Sequence, residues 1–200
     1  MHAVTRDSVA AALATLERTV VPTDGRHAAA VAVAVIDHDG VHGVPMTRRA
    51  ARMRAHPGQW ALPGGRIDDG EDAVAAAVRE MEEELGVSVP ASCAVGLLDD
   101  YATRSGYVIT PVVLWAGEVG ELQPNPDEVA SVHVATLSQL DVEPRFVTIP
   151  ESDQPVIQLP IFGDLIHAPT AAVLYQFREL ALHGRATSVA HFEQPVFAWR

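Results

Sequence analysis

The sequence predicts one domain of the α+β or α/β sandwich class. The chain has 200 residues, the length of one domain or of one domain with an elaborated end. Hydrophobic residues make up 48% and charged residues 20%, enough to bury a core and unlike a disordered chain. Strand-like and helix-like patterns alternate without a repeat, a low-complexity tract or a linker, so the elements are expected to pack in layers.

The elements follow in order along the chain. Residues 7–19 have helical spacing of Ala and Leu, with Asp7 or Ser8 as the expected cap. The Val/Ala run 28–36 predicts a buried strand, and the helix 71–85 is acidic at its start and ends at a glycine. The other expectations are strands over 44–48, 92–102, 107–116 and 129–135, helices over 136–141 and 170–183, an irregular arginine-rich loop over 49–59, and a proline-punctuated stretch over 144–160.

Composition excludes several classes of function. The formal net charge is −12 and all 14 basic residues are Arg, so a catalytic lysine, a Schiff base and a P-loop are excluded, and general nucleic-acid binding is disfavoured. Cys93 is the single cysteine, which excludes an internal disulfide and a cysteine zinc site, and it is expected in the core. No apolar run is long enough for a membrane span, and the N-terminus does not resemble a signal peptide, so the cytoplasm is the expected location.

A spaced set of glycines and acids runs from residue 65 to residue 87. Its fixed positions are Gly65, Glu71, Arg79-Glu80-Met81, Glu83-Glu84 and Gly86-Val87. On a helix Glu80, Glu83 and Glu84 lie on one face, where like charges repel unless a cation compensates them. Carboxylate oxygens suit Mg²⁺ or Mn²⁺, so a divalent metal site is the interpretation weighed against a solvated acidic face. Glu71 and Arg79, about two turns apart, are expected to pair along the helix.

This pattern matches the Nudix box at every fixed position. The resemblance implies an α/β/α sandwich with a mixed central sheet, and cleavage of a phosphoanhydride bond of a nucleoside diphosphate derivative with Mg²⁺ or Mn²⁺. It also implies metal ligands at Glu80, Glu83 and Glu84, a metal-binding backbone carbonyl at Gly65, and structural partners at Glu71 and Arg79. Glu128 is expected to be an extra ligand or general base, or else a surface loop acid.

The segment before the box resembles the coenzyme A pyrophosphatase subgroup. The matching residues are Thr47, Arg49, Ala50, Arg54, His56, Gly58, Gln59 and Pro63-Gly64-Gly65, with Met53 where the subgroup has Leu. The resemblance implies coenzyme A or its thioesters as substrate, with Arg49, Arg54, His56 and Gln59 as binding residues. The cluster Arg48, Arg49, Arg52 and Arg54 would supply the cations for an anionic substrate, or would pair with the acidic box.

Several alternatives stay open at this point. The enzyme could act on ADP-ribose or on another nucleoside di- or triphosphate, or the chain could be a nucleotide-sensing module without turnover. Trp60 could stack on an adenine or pack in the core. The N-terminal extension 1–25 and the tail 186–200 fall outside the resemblance, and the apolar tail could pack on a second copy, giving a homodimer, or cover its own core.

Overall fold

A mixed central sheet lies between helices on its two faces, which confirms the α/β/α sandwich. The computed structural model describes residues 4–52 and 58–199. The sheet follows the order β3-β2-β1-β7-β5; β4 also pairs with β1, β6 with β7 and β8 with β2. Its strands are β1 His27–His38, β2 Val41–Arg49, β3 Trp60–Ala61, β4 Gly64–Arg66, β5 Ala94–Leu97, β6 Tyr101–Ala102, β7 Tyr107–Glu118 and β8 Val129–Thr136.

Strand β1 is the centre of the sheet. It runs parallel to β7 over its whole length and antiparallel to β2 and β4. Successive side chains of a strand point to opposite faces of the sheet, so β1 contributes to the hydrophobic cores on both faces. Its alanines 30, 32 and 34 pack against helix α2 (Ala73–Leu85), and its valines 33 and 35 pack towards α1 (Arg6–Ala14) and α4 (Thr170–His183).

Helix α2 is held at both ends by local sequence. It begins one residue after Asp72, whose Oδ1 accepts a hydrogen bond from the Ala75 backbone N–H at 2.8 Å. It ends at Gly86, which has a φ of 68°, and the N–H of Gly86 donates to the carbonyl of Glu82 at 2.9 Å. The predicted helix is therefore confirmed, two residues shorter at its start.

Two predicted elements are present with different bounds. The N-terminal helix is capped by Thr5 and ends at Ala14, and the single strand expected over 92–102 is broken into a 3₁₀ turn and the short strands β5 and β6. Between these strands lie the buried acids Asp99 and Asp100. Asp99 Oδ1 accepts from the N–H of Thr19 at 2.8 Å, and Asp100 Oδ2 accepts from that of Val21 at 3.0 Å. These bonds attach the segment that follows α1 to the two acids, and the strand is interrupted at the same place.

The proline-punctuated stretch folds as a second sheet that the sequence interpretation missed. Its antiparallel strands are β9 Arg145–Ile149, β10 Ser152–Ile161 and β11 Asp164–His167, in the order β11-β10-β9. Pro155 lies where the β9–β10 register shifts, a position where a missing N–H is tolerated. A short helix, α3 Leu137–Leu140, precedes this sheet.

The C-terminal tail covers its own core. Val189, Phe192 and Ala198 are buried, the first two in the core that includes α4. Cys93 is half-buried beside the core under α2. Within the described ranges, no helix has the length and apolar character needed to cross a membrane.

Candidate active site

The site is built where strand β4 meets helix α2. Gly64 and Gly65 pair with Val31 and Ala30 of β1, and the backbone there passes directly over the side chain of Glu80. A Cβ added to Gly65 would lie 2.6 Å from the carboxyl carbon of Glu80, closer than real Cβ atoms approach. Gly65 is therefore needed because the Glu80 carboxylate occupies the space of a side chain.

Arg79 is the cation at the centre of the site. Its Nε and Nη2 donate to the two carboxylate oxygens of Glu71 at 2.9 and 3.0 Å, which is the expected pair. Its Nη1 donates to Glu80 at 2.8 Å and to Glu83 at 2.9 Å, and Nη2 also donates to the carbonyl of Arg66 at 2.9 Å. These bonds lower the pKa of Glu71 and raise that of Arg79, so both are charged at neutral pH.

Glu84 is the most strongly perturbed acid of the site. Its side chain is buried, and this burial raises its pKa to about 8, assisted by the nearby charges of Glu80 and Glu128 and opposed by Arg49. Burial also raises the pKa of Glu80, against the lowering effect of Arg79. The loop before β8 brings Glu128 here, since the Asn125 N–H donates to the Glu84 carbonyl at 2.9 Å.

These carboxylates have the chemistry that a hard divalent cation requires. Glu80 and Glu84 are 8% and 5% exposed, and burial raises the pKa of both carboxylates, so a bound cation would stabilise their charged forms. In residues 4–52 and 58–199, no three acidic, His or Cys side chains are already gathered closely enough to hold a metal ion. The carboxylate oxygens of Glu80 and Glu83 instead accept hydrogen bonds from Arg79, which compensates part of their negative charge. Carboxylate oxygens are ligands of the type that Mg²⁺ or Mn²⁺ prefers, so these residues fit such an ion in their chemistry.

A cavity of about 250 Å³ opens beside the two glycines. Arg49 and Gln59 line it, as do the aromatic residues Trp60 and Tyr107. Arg49 and Gln59 are joined through their backbones, with the Arg49 N–H donating to the Gln59 carbonyl at 3.0 Å. Two of the four residues expected to bind substrate thus lie beside the predicted metal ligands, whereas Arg54 and His56 lie outside the described residues.

The arginine cluster does not act as one patch. Arg48 forms an ion pair with Asp164 and Arg52 with Asp127, so neither pairs with the acidic box. The Arg48 guanidinium also lies 4.9 Å from the centre of the Trp60 ring. Among the arginines that the structure describes in this segment, Arg49 is the one that lines the cavity.

Trp60 has a packing role that the sequence left open. Its ring stacks on Phe162 with centroids 5.1 Å apart, and its Nε1–H donates to Asp164 at 3.0 Å. The cavity is closed by residues that sequence reasoning did not single out, from the β6–β7 turn and the C-terminal tail. No local motif marks them, because they reach the site only through the tertiary fold. They are Thr103, Ser105, Tyr107, Gln194 and Ala198.

The molecule is an α/β/α sandwich in which helix α2 and the central sheet bury two glutamates, Glu80 and Glu84. This fold and this site together define the class of protein. The chain belongs to the NUDIX domain family, since the family's sequence model matches residues 25–157. It is 36% identical over 124 residues to the uncharacterized Nudix hydrolase NudL of Citrobacter koseri, covering 58% of this chain and 61% of the relative. It is 32% identical over 127 residues to Nudix hydrolase 3 of Caenorhabditis elegans, covering 62% of this chain and 53% of that protein.

The fold also resembles a solved structure. A Nudix hydrolase of Mycobacterium smegmatis, RenU, superimposes with a TM-score of 0.53 over 82% of this chain and 91% of its own, at 24% identity. That likeness concerns the fold. The chain spans about half to three fifths of the length of the curated relatives named above.

Proposed function

We propose that this chain is a metal-dependent Nudix hydrolase that cleaves the phosphoanhydride bond of a nucleoside diphosphate derivative. The favoured substrate is coenzyme A or one of its thioesters, giving 3′,5′-ADP and 4′-phosphopantetheine. The observation that carries the proposal is the position of the buried Glu80 against Gly65 and of the buried Glu84, hydrogen-bonded to the Gly64 backbone, beside the cavity that Arg49 lines. The charge arrangement supports hydrolysis of an anionic substrate, because Arg49 lines the cavity and also acts electrostatically on the buried Glu84 behind it.

Each charged residue has a separate task in this proposal. Glu80, Glu83, Glu84 and the Gly65 carbonyl would hold Mg²⁺ or Mn²⁺, which neutralises phosphate charge and makes water a better nucleophile. Arg79 keeps the carboxylates of Glu80 and Glu83 in place through its bonds to both. Glu128 acts on Glu80 and Glu84 electrostatically and is the candidate for accepting a proton from the attacking water. Water adds to one phosphorus, the bridging oxygen leaves with the other phosphorus, and each product keeps one phosphate monoester from the cleaved anhydride.

The choice of coenzyme A rests on the segment before the box. Arg49 is placed where it can meet a phosphate of the bound substrate, and an arginine fork suits phosphate oxygens. Arg48 and Arg52 each pair with an aspartate, so these two of the four arginines are not assigned to the substrate. The 3′-phosphate contact is therefore assigned to Arg49 and, from the sequence pattern alone, to Arg54. The same ion pairs make ADP-ribose, which lacks the 3′-phosphate, the second candidate.

One experiment tests the reaction. The protein is incubated with Mg²⁺ or Mn²⁺ and with coenzyme A, dephospho-coenzyme A, ADP-ribose or a nucleoside triphosphate, and the products are identified by mass. Glu83→Gln and Glu84→Gln should lower turnover by several orders of magnitude, whereas Glu82→Gln, an equal charge change at an exposed position of the same helix, should not. Hydrolysis that survives in both site variants would place the active site elsewhere, and no hydrolysis by the wild type would favour a sensing module.

A second experiment tests the substrate. Arg49→Ala should reduce the preference for coenzyme A over dephospho-coenzyme A, because one charge-assisted contact contributes about 1.5–3 kcal/mol, or roughly ten- to a hundredfold. Arg54→Ala is expected to act alike. Equal kcat/KM for the two substrates in the wild type, or a preference for ADP-ribose, would refute the coenzyme A assignment and leave the Nudix hydrolase proposal standing.

A further inference from the structure

The C-terminal tail forms a fixed wall of the active-site cavity. This wall, residues 192–199, lies beyond the end of the family match at residue 157, yet Gln194 and Ala198 line the cavity together with Gly64 and Gly65. The tail is fixed to the body of the protein by the Tyr101 hydroxyl, which donates to the carbonyl of Phe192 at 2.7 Å. A neighbouring backbone bond runs from the N–H of residue 193 to the carbonyl of residue 155 at 2.9 Å.

Arg104, in the β6–β7 turn, ties the wall to the rest of the cavity. Its guanidinium forms an ion pair with the buried Glu193 at 2.6 Å and lies 5.1 Å from the centre of the Trp199 ring. The indole N–H of Trp199 donates in turn to the carbonyl of Gln194 at 2.9 Å. The wall is therefore braced on both sides of Gln194, and this side chain has little freedom to move.

The hydrogen bonds of Gln194 fix which way its amide points. The side chain is 2% exposed, and its Oε1 accepts from the backbone N–H of Arg104 at 2.6 Å. A backbone N–H can only donate, so the oxygen must occupy this place and the amide cannot flip. Among the hydrogen bonds of residues 4–52 and 58–199, none is donated by Gln194 Nε2, and this atom keeps some accessible surface, so its N–H₂ group is open at the cavity that Gln194 lines. A ligand that fills the cavity removes this N–H₂ group from water and must supply an acceptor, because a buried unpaired donor costs free energy.

The other residues that line the cavity indicate which kind of chemical group would supply that acceptor. Its described lining combines apolar side chains with the rings of Trp60 and Tyr107 and contains no acidic side chain. Arg49 and Arg66 are its cations. A volume of about 250 Å³ suits one half of a nucleotide derivative better than the whole molecule. The fitting group is neutral, has an apolar body, carries an acceptor such as a ring nitrogen or an amide carbonyl, and is joined to a phosphate.

We propose that Gln194 determines substrate specificity by donating a hydrogen bond to the acceptor of the neutral group that the cavity takes. The proposal rests on the proposed function, because it places one half of the diphosphate substrate in this cavity. Two halves of the favoured substrate have the required chemistry, the nucleobase and the amide-bearing pantetheine arm. The tail thus selects between groups that a Nudix box alone would treat alike.

Binding of half-substrates tests this without any hydrolysis. AMP and 4′-phosphopantetheine, neither of which has a phosphoanhydride bond, are titrated by calorimetry into the full chain with Mg²⁺. One fragment should bind more tightly, and both Gln194→Glu and Gln194→Met should weaken it about two- to tenfold, the value of one hydrogen bond. Gln194→Glu keeps the acceptor for the Arg104 N–H, and Gln194→Met adds no charge, so a shared effect reports the lost donor.

Matched controls separate this role from damage to the fold. Gln154→Glu and Gln154→Met make the same changes on the exposed face of β10 and should leave both affinities unchanged. The fragment that responds identifies the group held in the cavity. Equal wild-type affinities for the two fragments, no binding of either, or affinities that stay constant in both Gln194 variants with unchanged unfolding temperatures would each overturn the proposal. Because no hydrolysis is measured, these outcomes are distinct from a failure of the proposed reaction.

Discussion

Substituting Gly65 by Ala tests whether the position of Glu80 matters for the reaction. Gly65 lies on β4 with its Cα facing the Glu80 carboxylate, and an added Cβ would lie 2.6 Å from the carboxyl carbon, where about 3.4 Å is ordinary contact. The carboxylate must therefore move by about 1 Å. A misplacement of this size in an active site costs about a hundredfold in rate, so we expect kcat/KM to fall by about that factor.

The same substitution should change stability little. The bond between Arg79 and Glu80 is lost or weakened, which costs about 1 kcal/mol because Arg79 is about a quarter exposed. Replacing Gly by Ala also restricts the unfolded chain, which contributes about 0.4–1 kcal/mol in the opposite direction. The two effects nearly cancel, and Tm should shift by less than about 4 °C for a chain of this size.

Gly64→Ala is the matched control one residue away. Its Cβ would lie 2.8 Å from the Cα of Val31 and closer still to the carbonyl oxygen of Ala30, so it collides with the backbone of β1. A backbone cannot rotate aside, and we expect a loss of about 3 kcal/mol, or roughly 6–12 °C in Tm. Steady-state kinetics and thermal unfolding of both variants check this. Near-normal kcat/KM in Gly65→Ala would refute the idea that the Glu80 carboxylate must stay behind the glycine.

Three further predictions concern the charged residues. Arg79→Ala should lower activity and also lower Tm by about 4–8 °C, which corresponds to roughly 2 kcal/mol of unfolding free energy. The variant loses hydrogen bonds to Glu71, Glu80 and Glu83. A stable but inactive variant would instead indicate direct substrate contact. In EDTA, Glu84→Gln should gain stability relative to the wild type as pH rises from 5 to 9. The folded pKa of Glu84 is about 8 and its usual pKa is 4.5, so ionisation over this range destabilises the folded wild type and not the variant. Tm profiles of the two proteins that stay parallel would contradict this. Mg²⁺ or Mn²⁺ should raise the wild-type Tm more at pH 8.5 than at pH 6, since protonation of Glu84 competes with the metal, and Glu84→Gln should show little of this pH dependence; a pH-independent rise would argue against Glu84 as a ligand.

The box could be interpreted from sequence because its geometry is local. Glu71 lies eight residues before Arg79 and just ahead of the helix, so the two residues pair as expected although not along the helix itself. The Asp72 cap and the glycine at residue 86 bound the helix within the same segment. The roles of the glutamates as metal ligands stay predictions. What spacing could not show was that Arg79 also bonds Glu80 and Glu83, which requires the side-chain conformations.

The remaining features depend on residues far apart in sequence. Asp99 and Asp100 read as the end of a strand, but their carboxylates bond the backbone near residues 19–21, which no local pattern signals. The prolines in the segment that forms β9–β11 argued against strands, so the small sheet was not predicted. Gln194 reaches the cavity because the C-terminal tail folds back over the core. In each case a long-range contact overrides the local preference.

The alanine face of β1 sets the thickness of one layer of the molecule. Ala30, Ala32 and Ala34 are fully buried in the core under α2, together with alanines 76 and 77 of that helix, so small side chains let the first half of the helix lie close to the strand. Glu80, Glu83 and Glu84 belong to that helix, and both glycines belong to the strand paired with β1. The separation between the two halves of the site therefore depends on small apolar side chains, of which Ala30 also lines the cavity. Enlarging one of them would move the carboxylates away from the glycines as a rigid group, so β1 offers a means of adjusting the depth of the site without altering any of its chemistry.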